Sequence, residues 1–265
     1  MRSSVFRDRA FRQYLWLAFG ITWGAGGLGL LVGAFEFEAA PPRLHPLHYL
    51  AAFGPSLAGI ALALRTDGWT GLRSMLARAR PRMAGVRWYL AVVLGFGIAN
   101  FVAVRVLAPT ALVGLPRWPQ LLSLLPATLF LDTGPLGEEF GWRGFALPRL
   151  LKVRPPLVAA VVLGAIWFAW HLPTFFVPTL SQSQLSIPLF FINSVALSIV
   201  MTWLYLRSDG DLLVMLLVHA MANYCGAIGI PFLAEVAAEV VLAALIVACG
   251  GLRAGPALAS APVAT

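Results

Sequence analysis

Eight long apolar runs dominate the sequence and restrict what the chain can fold into. A helix that crosses a bilayer needs about 20 mainly apolar residues, because the hydrocarbon core is about 30 Å thick and each residue rises about 1.5 Å. The short alternating segments that build membrane barrels are absent. The runs lie at roughly 14–34, 48–64, 88–108, 120–147, 156–177, 187–206, 212–230 and 232–250. The sequence therefore predicts an all-α, polytopic membrane protein with eight transmembrane helices.

The composition argues against a soluble protein. Of the 265 residues, 60% are apolar and 11% are charged, whereas a soluble domain has about 25% charged residues. The net charge of +8 does not indicate nucleic acid, because almost all the basic residues fall between the apolar runs. That distribution is typical of a membrane protein, whose basic residues lie in the loops between the spans. We therefore expect the lipid bilayer, and no nucleic acid, as a partner.

The basic residues also predict an orientation, since Arg and Lys concentrate on the cytoplasmic side of membrane proteins. With eight spans, 16 of the 19 Arg and Lys residues fall on one side, and only Arg43 and Arg117 lie in the opposite loops. Both termini are therefore predicted to be cytoplasmic. We expect a single transmembrane domain over 1–252, followed by a disordered tail rich in Ala and Pro over 253–265.

Polar side chains inside the apolar runs are the candidates for function, because a charge at the centre of a membrane helix costs at least about 2.5–3.5 kcal/mol. They are Asp132, Glu138, Glu139 and Arg143 in the fourth run, His171 in the fifth, and His219 and Asn223 in the seventh. Each one alone is better explained by helix packing or by an interfacial position. Taken together, they favour a shared site, which we expect in a cavity open to the cytoplasm.

The spacing of these residues predicts which of them share a helix face. Glu139 and Arg143 are four residues apart, so they can pair and hold one ionised carboxylate. Glu138 points about 100° away and is free to face another group. His219 and Asn223 also share a face, where the simplest explanation is a hydrogen bond between helices.

The three motifs resemble those of a known family. The pattern Glu-Glu-x-x-x-Arg, then aromatic-x-x-x-His, then His-x-x-x-Asn is similar to the CPBP family of membrane proteins. That family contains CAAX prenyl endopeptidases of the Ras-converting type and bacterial Abi proteins. The resemblance covers a motif core at about 134–223, and eight spans suit the family core. One position departs from the pattern: Trp167 stands where phenylalanine is common, and we treat it as an equivalent aromatic residue.

The resemblance implies a protease, an intramembrane endopeptidase that hydrolyses a peptide bond of a membrane-anchored peptide or protein. Glu138 would act as the general base with help from His171. His219 and Asn223 would donate hydrogen bonds to the developing oxyanion. Glu139 and Arg143 would hold these side chains in position without contacting the substrate themselves.

A second account of the same residues makes the enzyme a metalloprotease. Glu138, His171 and His219 would hold a zinc ion, with water as the fourth ligand, which is the common pattern of catalytic zinc sites. The sequence lacks the His-Glu-x-x-His spacing of many zinc proteases and leaves both accounts open.

The sequence also leaves open the substrate and the class of function. A CAAX-type enzyme cleaves after a prenylated cysteine near a C-terminus. A composition rich in Arg and Ala and poor in Lys is typical of bacteria, so we expect the cytoplasmic (inner) membrane and a substrate that need not be prenylated. A small transporter or proton relay would use the same buried Glu/His cluster, although it predicts inverted repeats that are not visible. A non-catalytic partner-binding member of the family is the third possibility.

Overall fold

The structure is a computed structural model that describes residues 8–35, 45–114 and 118–252, and all regular elements in those ranges are helical. The α-helices are α1 (Arg9–Leu31), α2 (Pro46–Ala52), α3 (Gly54–Ala77), α4 (Val86–Leu107), α5 (Trp118–Phe130), α6 (Thr133–Gly141), α7 (Leu147–Val153), α8 (Pro156–His171), α9 (Ile187–Arg207), α10 (Leu212–Ala227) and α11 (Phe232–Ala248). Short 3₁₀ turns lie at Met83–Gly85, Pro109–Gly114, Leu172–Phe176 and Ser181–Gln184. A π-helical turn, Trp142–Ala146, joins α6 to α7. The predicted all-α class is confirmed, and the predicted tail at 253–265 lies outside the described residues.

Several helices are long and apolar enough to cross a bilayer. In the described ranges there are four such segments: Arg9–Leu31, Met83–Leu107, Pro156–Phe176 and Ile187–Arg207. A fifth is obtained if α2 and α3, which meet at a bend of 60°, form one broken span. These segments support an integral membrane protein. The count of eight spans and the cytoplasmic position of both termini stay predictions.

The fourth apolar run is not the single helix that the sequence predicted. α5 ends at Phe130 and α6 begins at Thr133, with Asp132 in an extended conformation between them. The Oδ1 atom of Asp132 accepts a hydrogen bond from the Gly134 backbone N–H at 3.0 Å. An Asp that accepts from the first turn starts a new helix, because its carboxylate satisfies an N–H that has no partner within the helix.

The second run also ends differently from the prediction. α3 continues past residue 64 as far as Ala77, with a break at Gly68. The φ of 64° at Gly68 is in the left-handed region, which glycine adopts without steric cost. The chain can therefore turn at Gly68 and continue as a helix. This second part of α3 carries Arg73, one of the basic residues that follow the second apolar run.

α6 lies between two longer helices and is held close to one of them by glycines. It contacts α3 on one side and α10 on the other, while α8 packs against α9. A Cβ atom added to Gly59 of α3 would lie only 2.8 Å from the Cα atom of Gly141 in α6. Any larger side chain would push the two helices apart. The short helix α6 is thus fixed deep in the protein, with its two glutamates facing neighbouring helices.

Candidate active site

The two glutamates of α6 have separate partners. Glu138 and Glu139 are buried, with exposed fractions of 4% and 0%. Glu139 forms an ion pair with Arg143, in which the Arg143 Nη1 atom lies 2.9 Å from Oε1 and 3.2 Å from Oε2. Glu138 instead accepts a hydrogen bond at its Oε2 atom from the indole Nε1–H of Trp167, at 2.5 Å. Both the predicted pairing of Glu139 with Arg143 and the different direction of Glu138 are therefore found.

Arg143 lies in the π-helical turn and is fully buried. A π turn places one extra residue in a helical turn, and such turns are frequent at functional sites. The guanidinium carbon of Arg143 is 4.6 Å from the centre of the Trp167 ring, which is a cation–π contact. Arg143 therefore contacts Glu139 directly and is linked to Glu138 through the Trp167 indole.

His219, on α10, lies between the two glutamates. Its Nδ1 atom is 2.7 Å from Oε1 of Glu139, and its Nε2 atom is 4.0 Å from Oε1 of Glu138. An ionised carboxylate can only accept, so Nδ1 donates its proton to Glu139. This bond fixes the ring orientation, as an aspartate does for the histidine of serine proteases, and directs Nε2 towards Glu138.

Asn223 lies one helical turn after His219 and is oriented by Asp132. Its Nδ2 atom donates to Oδ2 of Asp132 at 3.2 Å. A Cβ atom added to Gly134 would lie 2.8 Å from Nδ2 of Asn223 and 2.8 Å from Nε2 of His219. The two nitrogen atoms therefore border the same small space above Gly134, which only a glycine leaves open.

His171 reaches this cluster through Trp167. It ends α8, and its Nδ1 atom lies 2.9 Å from the backbone oxygen of Trp167, to which it donates. This bond leaves Nε2 as the free ring nitrogen. The His171 ring contacts Trp170 and Phe190, with ring centres 4.6 and 5.1 Å away. Among the described residues, no hydrogen bond joins His171 directly to Glu138.

Comparison with known proteins identifies the part of the chain that carries this cluster. Residues 118–225 match the family model described as type II CAAX prenyl endopeptidase, Rce1-like. The CAAX prenyl protease 2 of Methanococcus maripaludis is 30% identical over 111 residues, which cover 40% of this chain and 38% of that protein. Residues 118–225 are therefore similar to Rce1-like CAAX prenyl endopeptidases, and we refer to them as the Rce1-like segment. This confirms the predicted resemblance to the CPBP family.

The Rce1-like segment runs from the start of α5 almost to the end of α10 and includes all six residues that the motifs predicted. They are Glu138, Glu139, Arg143, His171, His219 and Asn223. Their roles in catalysis stay predictions, but their arrangement is defined: four helical elements of the segment bring them around Trp167 and Gly134.

Three residues of the Rce1-like segment contribute contacts that the sequence interpretation missed. Trp167 was treated as an equivalent of phenylalanine, which overlooked its N–H donor. Asp132 orients Asn223, and Gly134 leaves space beside His219. A signal for Asp132 was present, because Asp followed by Thr-Gly-Pro is typical of a helix start. No sequence signal connected Trp167 to Glu138, since that contact joins two helices.

The Rce1-like segment does not present the ligand group that the zinc account needs. In the part of the chain that the structure describes, no three His, Cys, Asp or Glu side chains are arranged to hold a metal ion. The free Oε1 of Glu138 and Nε2 of His219 are 4.0 Å apart. His171 is separated from them by the Trp167 indole. Zinc binding by Glu138, His171 and His219 stays a prediction that metal analysis can test.

Proposed function

We propose that this chain is an intramembrane endopeptidase that hydrolyses a peptide bond of a membrane-associated substrate. Two lines of support converge: the Rce1-like segment, and a buried carboxylate surrounded by hydrogen-bond donors within that segment. Such a group is expensive to keep in a membrane helix, so it indicates a functional site.

The observation that carries the proposal is the position of Glu138. Its Oε1 atom faces Nε2 of His219 across 4.0 Å, next to the space above Gly134. A water molecule that donates to Oε1 fits beside His219 at that separation, since such a bond is about 2.8 Å long, and the Nε2–H stays available for the substrate oxygen. Glu138 is thus within reach of the proton that it must remove, which is the first requirement for a general base.

In the proposed reaction Glu138 takes a proton from this water, and the resulting hydroxide attacks the scissile carbonyl carbon. The free Nε2 atom of His171 assists by accepting a hydrogen bond from the attacking water. When the C–N bond breaks, Glu138 returns the proton to the leaving amine. The carboxylate is regenerated in each cycle, so the reaction consumes only the peptide and one water molecule.

His219 and Asn223 are the proposed donors to the oxyanion. Nε2 of His219 and Nδ2 of Asn223 border the same space, where a carbonyl oxygen of the substrate would lie. Glu139 and Glu138 on either side balance the charge of a doubly protonated His219. Fixed donors of this kind stabilise negative charge as it develops, and the loss of one typically slows a reaction by about 10²–10³-fold.

The substrate class is a membrane-anchored peptide, and the name of the relative, CAAX prenyl protease 2, makes prenylated C-terminal peptides the first to test. A library of membrane-anchored peptides in liposomes, with and without a prenyl group, measures the activity and this preference together. We expect cleavage by the wild type and none by Glu138→Ala. Equal cleavage by the two proteins would overturn the proposal.

The same assay separates the two accounts of water activation. If Glu138 and His171 activate water without a metal, a strong chelator leaves the cleavage rate unchanged. If Glu138, His171 and His219 hold zinc, the chelator abolishes cleavage and added zinc restores it. Metal analysis of the purified protein then gives close to one ion per chain. We expect the first result, because the three side chains are not grouped as ligands.

A further inference from the structure

Trp167 contacts each titratable group of the proposed reaction. Its indole N–H donates to Glu138 at 2.5 Å, and its backbone oxygen accepts from His171 at 2.9 Å. Its ring centre lies 5.5 Å from that of His219. The Trp167 side chain is itself buried, with an exposed fraction of 5%. It therefore occupies the centre of the site.

The hydrogen bond to Glu138 selects which carboxylate oxygen is free. The indole N–H is a donor only, and it binds Oε2. The other oxygen, Oε1, is then the one that faces His219. A bond between an N–H and a carboxylate is stronger than one between neutral groups, so it can hold a side chain in one rotamer. The indole ring is also held by Arg143, which packs on it.

We propose that Trp167 is a positioning residue for Glu138, whose indole N–H holds Oε2 so that Oε1 is directed at the attacking water. This inference rests on the proposed function, since it assigns Glu138 the role of base. It gives Trp167 a role that phenylalanine at the same position cannot fulfil. Phenylalanine would keep the ring and the backbone oxygen that holds His171, but it has no donor for Glu138.

The first test replaces only the donor. In Trp167→Phe the N–H is lost, and in a protein with 3-benzothienylalanine at position 167 a sulfur atom replaces the N–H while the shape of the ring is kept. Loss of a group that orients a metal-ligating side chain typically costs about 10–100-fold in activity, and we expect a loss of the same size for a group that orients Glu138. We expect kcat to fall by that factor in both proteins, with KM unchanged, because substrate binding does not involve the indole N–H.

Trp170 provides a matched control on the same helix. It is as buried as Trp167, at 5% exposed, and its Nε1–H donates to Oγ1 of Thr22 at 2.9 Å. Trp170→Phe removes an equivalent hydrogen bond and keeps the aromatic ring beside His171. We expect wild-type kcat for this variant. An equal fall in kcat in Trp170→Phe and Trp167→Phe would overturn the inference, since it would indicate a general effect on packing.

A double-mutant cycle then tests whether Trp167 acts through Glu138. Glu138→Asp keeps a carboxylate but is one methylene too short to reach the indole. We expect Trp167→Phe to have little further effect on kcat in that background, so that the two losses are not additive. Additive losses would overturn the inference.

If Glu138→Gln is inactive while the benzothienylalanine protein has wild-type kcat, the inference fails and the proposed function stands. If Glu138→Gln is active, the proposed function itself fails.

Discussion

The proposed chemistry depends on a space beside Gly134 that a single methyl group would fill. A Cβ atom at position 134 would lie 2.8 Å from both His219 Nε2 and Asn223 Nδ2, which is shorter than an ordinary van der Waals contact. Gly134 is therefore a requirement of the site and not of the helix. Hydrophobic patterns do not reveal such a requirement, because it arises where α6 meets α10.

We expect Gly134→Ala to lower kcat/KM by about 10²-fold, as a displacement of about 1 Å in catalytic groups typically does. The helix itself should be unaffected, since alanine favours helices more than glycine does. The measurement is cleavage in liposomes together with thermal unfolding. Gly95→Ala is the control, because nothing lies within 4 Å of a Cβ atom at Gly95 in α4. Equal activity of the two variants would contradict the assigned space.

Asn223→Ala tests the second oxyanion donor. The amide is oriented by Asp132, so its loss removes a fixed donor and leaves the rest of the site in place. We expect cleavage to slow by about 10²–10³-fold with little change in KM. The kinetics of the purified variant in liposomes measure this. A wild-type rate would remove Asn223 from the mechanism.

At the scale of elements, the ion pair of Glu139 and Arg143 joins α6 to the π-helical turn. Both side chains are fully buried, so neither charge is solvated by water. Glu139→Ala leaves the Arg143 charge without its partner, which typically costs about 3–5 kcal/mol of stability. We expect a strongly lowered unfolding free energy in detergent, together with loss of the bond that orients His219.

Asp67→Ala is the matched control for that measurement. Asp67 lies 3.8 Å from Arg149, but its side chain is 57% exposed. Exposed ion pairs contribute about 0–1 kcal/mol, so this variant should unfold almost as the wild type does. If Glu139→Ala were as stable as Asp67→Ala, the buried ion pair would not be holding α6 in place.

The sequence predicted the long helices better than the short ones. The run at 187–206 corresponds to α9, Ile187–Arg207, and the run at 156–177 to α8 with its following 3₁₀ turn. The run at 120–147 was wrong as a single helix. A run of apolar residues indicates burial but does not show where the backbone hydrogen bonds are interrupted. That is decided locally, by the cap that Asp132 forms.

Contacts of the candidate site that lie within one helix were predictable from the sequence, whereas contacts between helices were not. The four-residue spacing of Glu139 and Arg143 gave their pairing directly, because it follows from helix geometry. The bonds from Trp167 to Glu138 and from His219 to Glu139 join different helices. Their formation depends on how α6, α8 and α10 pack, which no periodicity within one segment encodes.

At the scale of the whole molecule, the distribution of basic residues predicts eight spans with both termini in the cytoplasm. The segments long enough to span, such as α1 and α9, support a membrane protein but do not fix its orientation. Reporter fusions after residues 40, 80, 115 and 255 measure it. We expect outside, inside, outside and inside in that order, because the basic loops stay cytoplasmic. An outside position at residue 255 would contradict the topology.

The substitution Glu138→Gln tests whether the ionised carboxylate of Glu138 activates water for peptide hydrolysis. Glutamine has the same shape, and its carbonyl oxygen still accepts from the Trp167 N–H, but it cannot take a proton from water. The measurement compares the rates at which the variant and the wild type cleave a membrane-anchored peptide in liposomes. Thermal unfolding of both proteins shows whether the variant is folded. We expect Glu138→Gln to be folded and almost inactive. A folded Glu138→Gln with full activity would show that the Glu138 carboxylate is not the base.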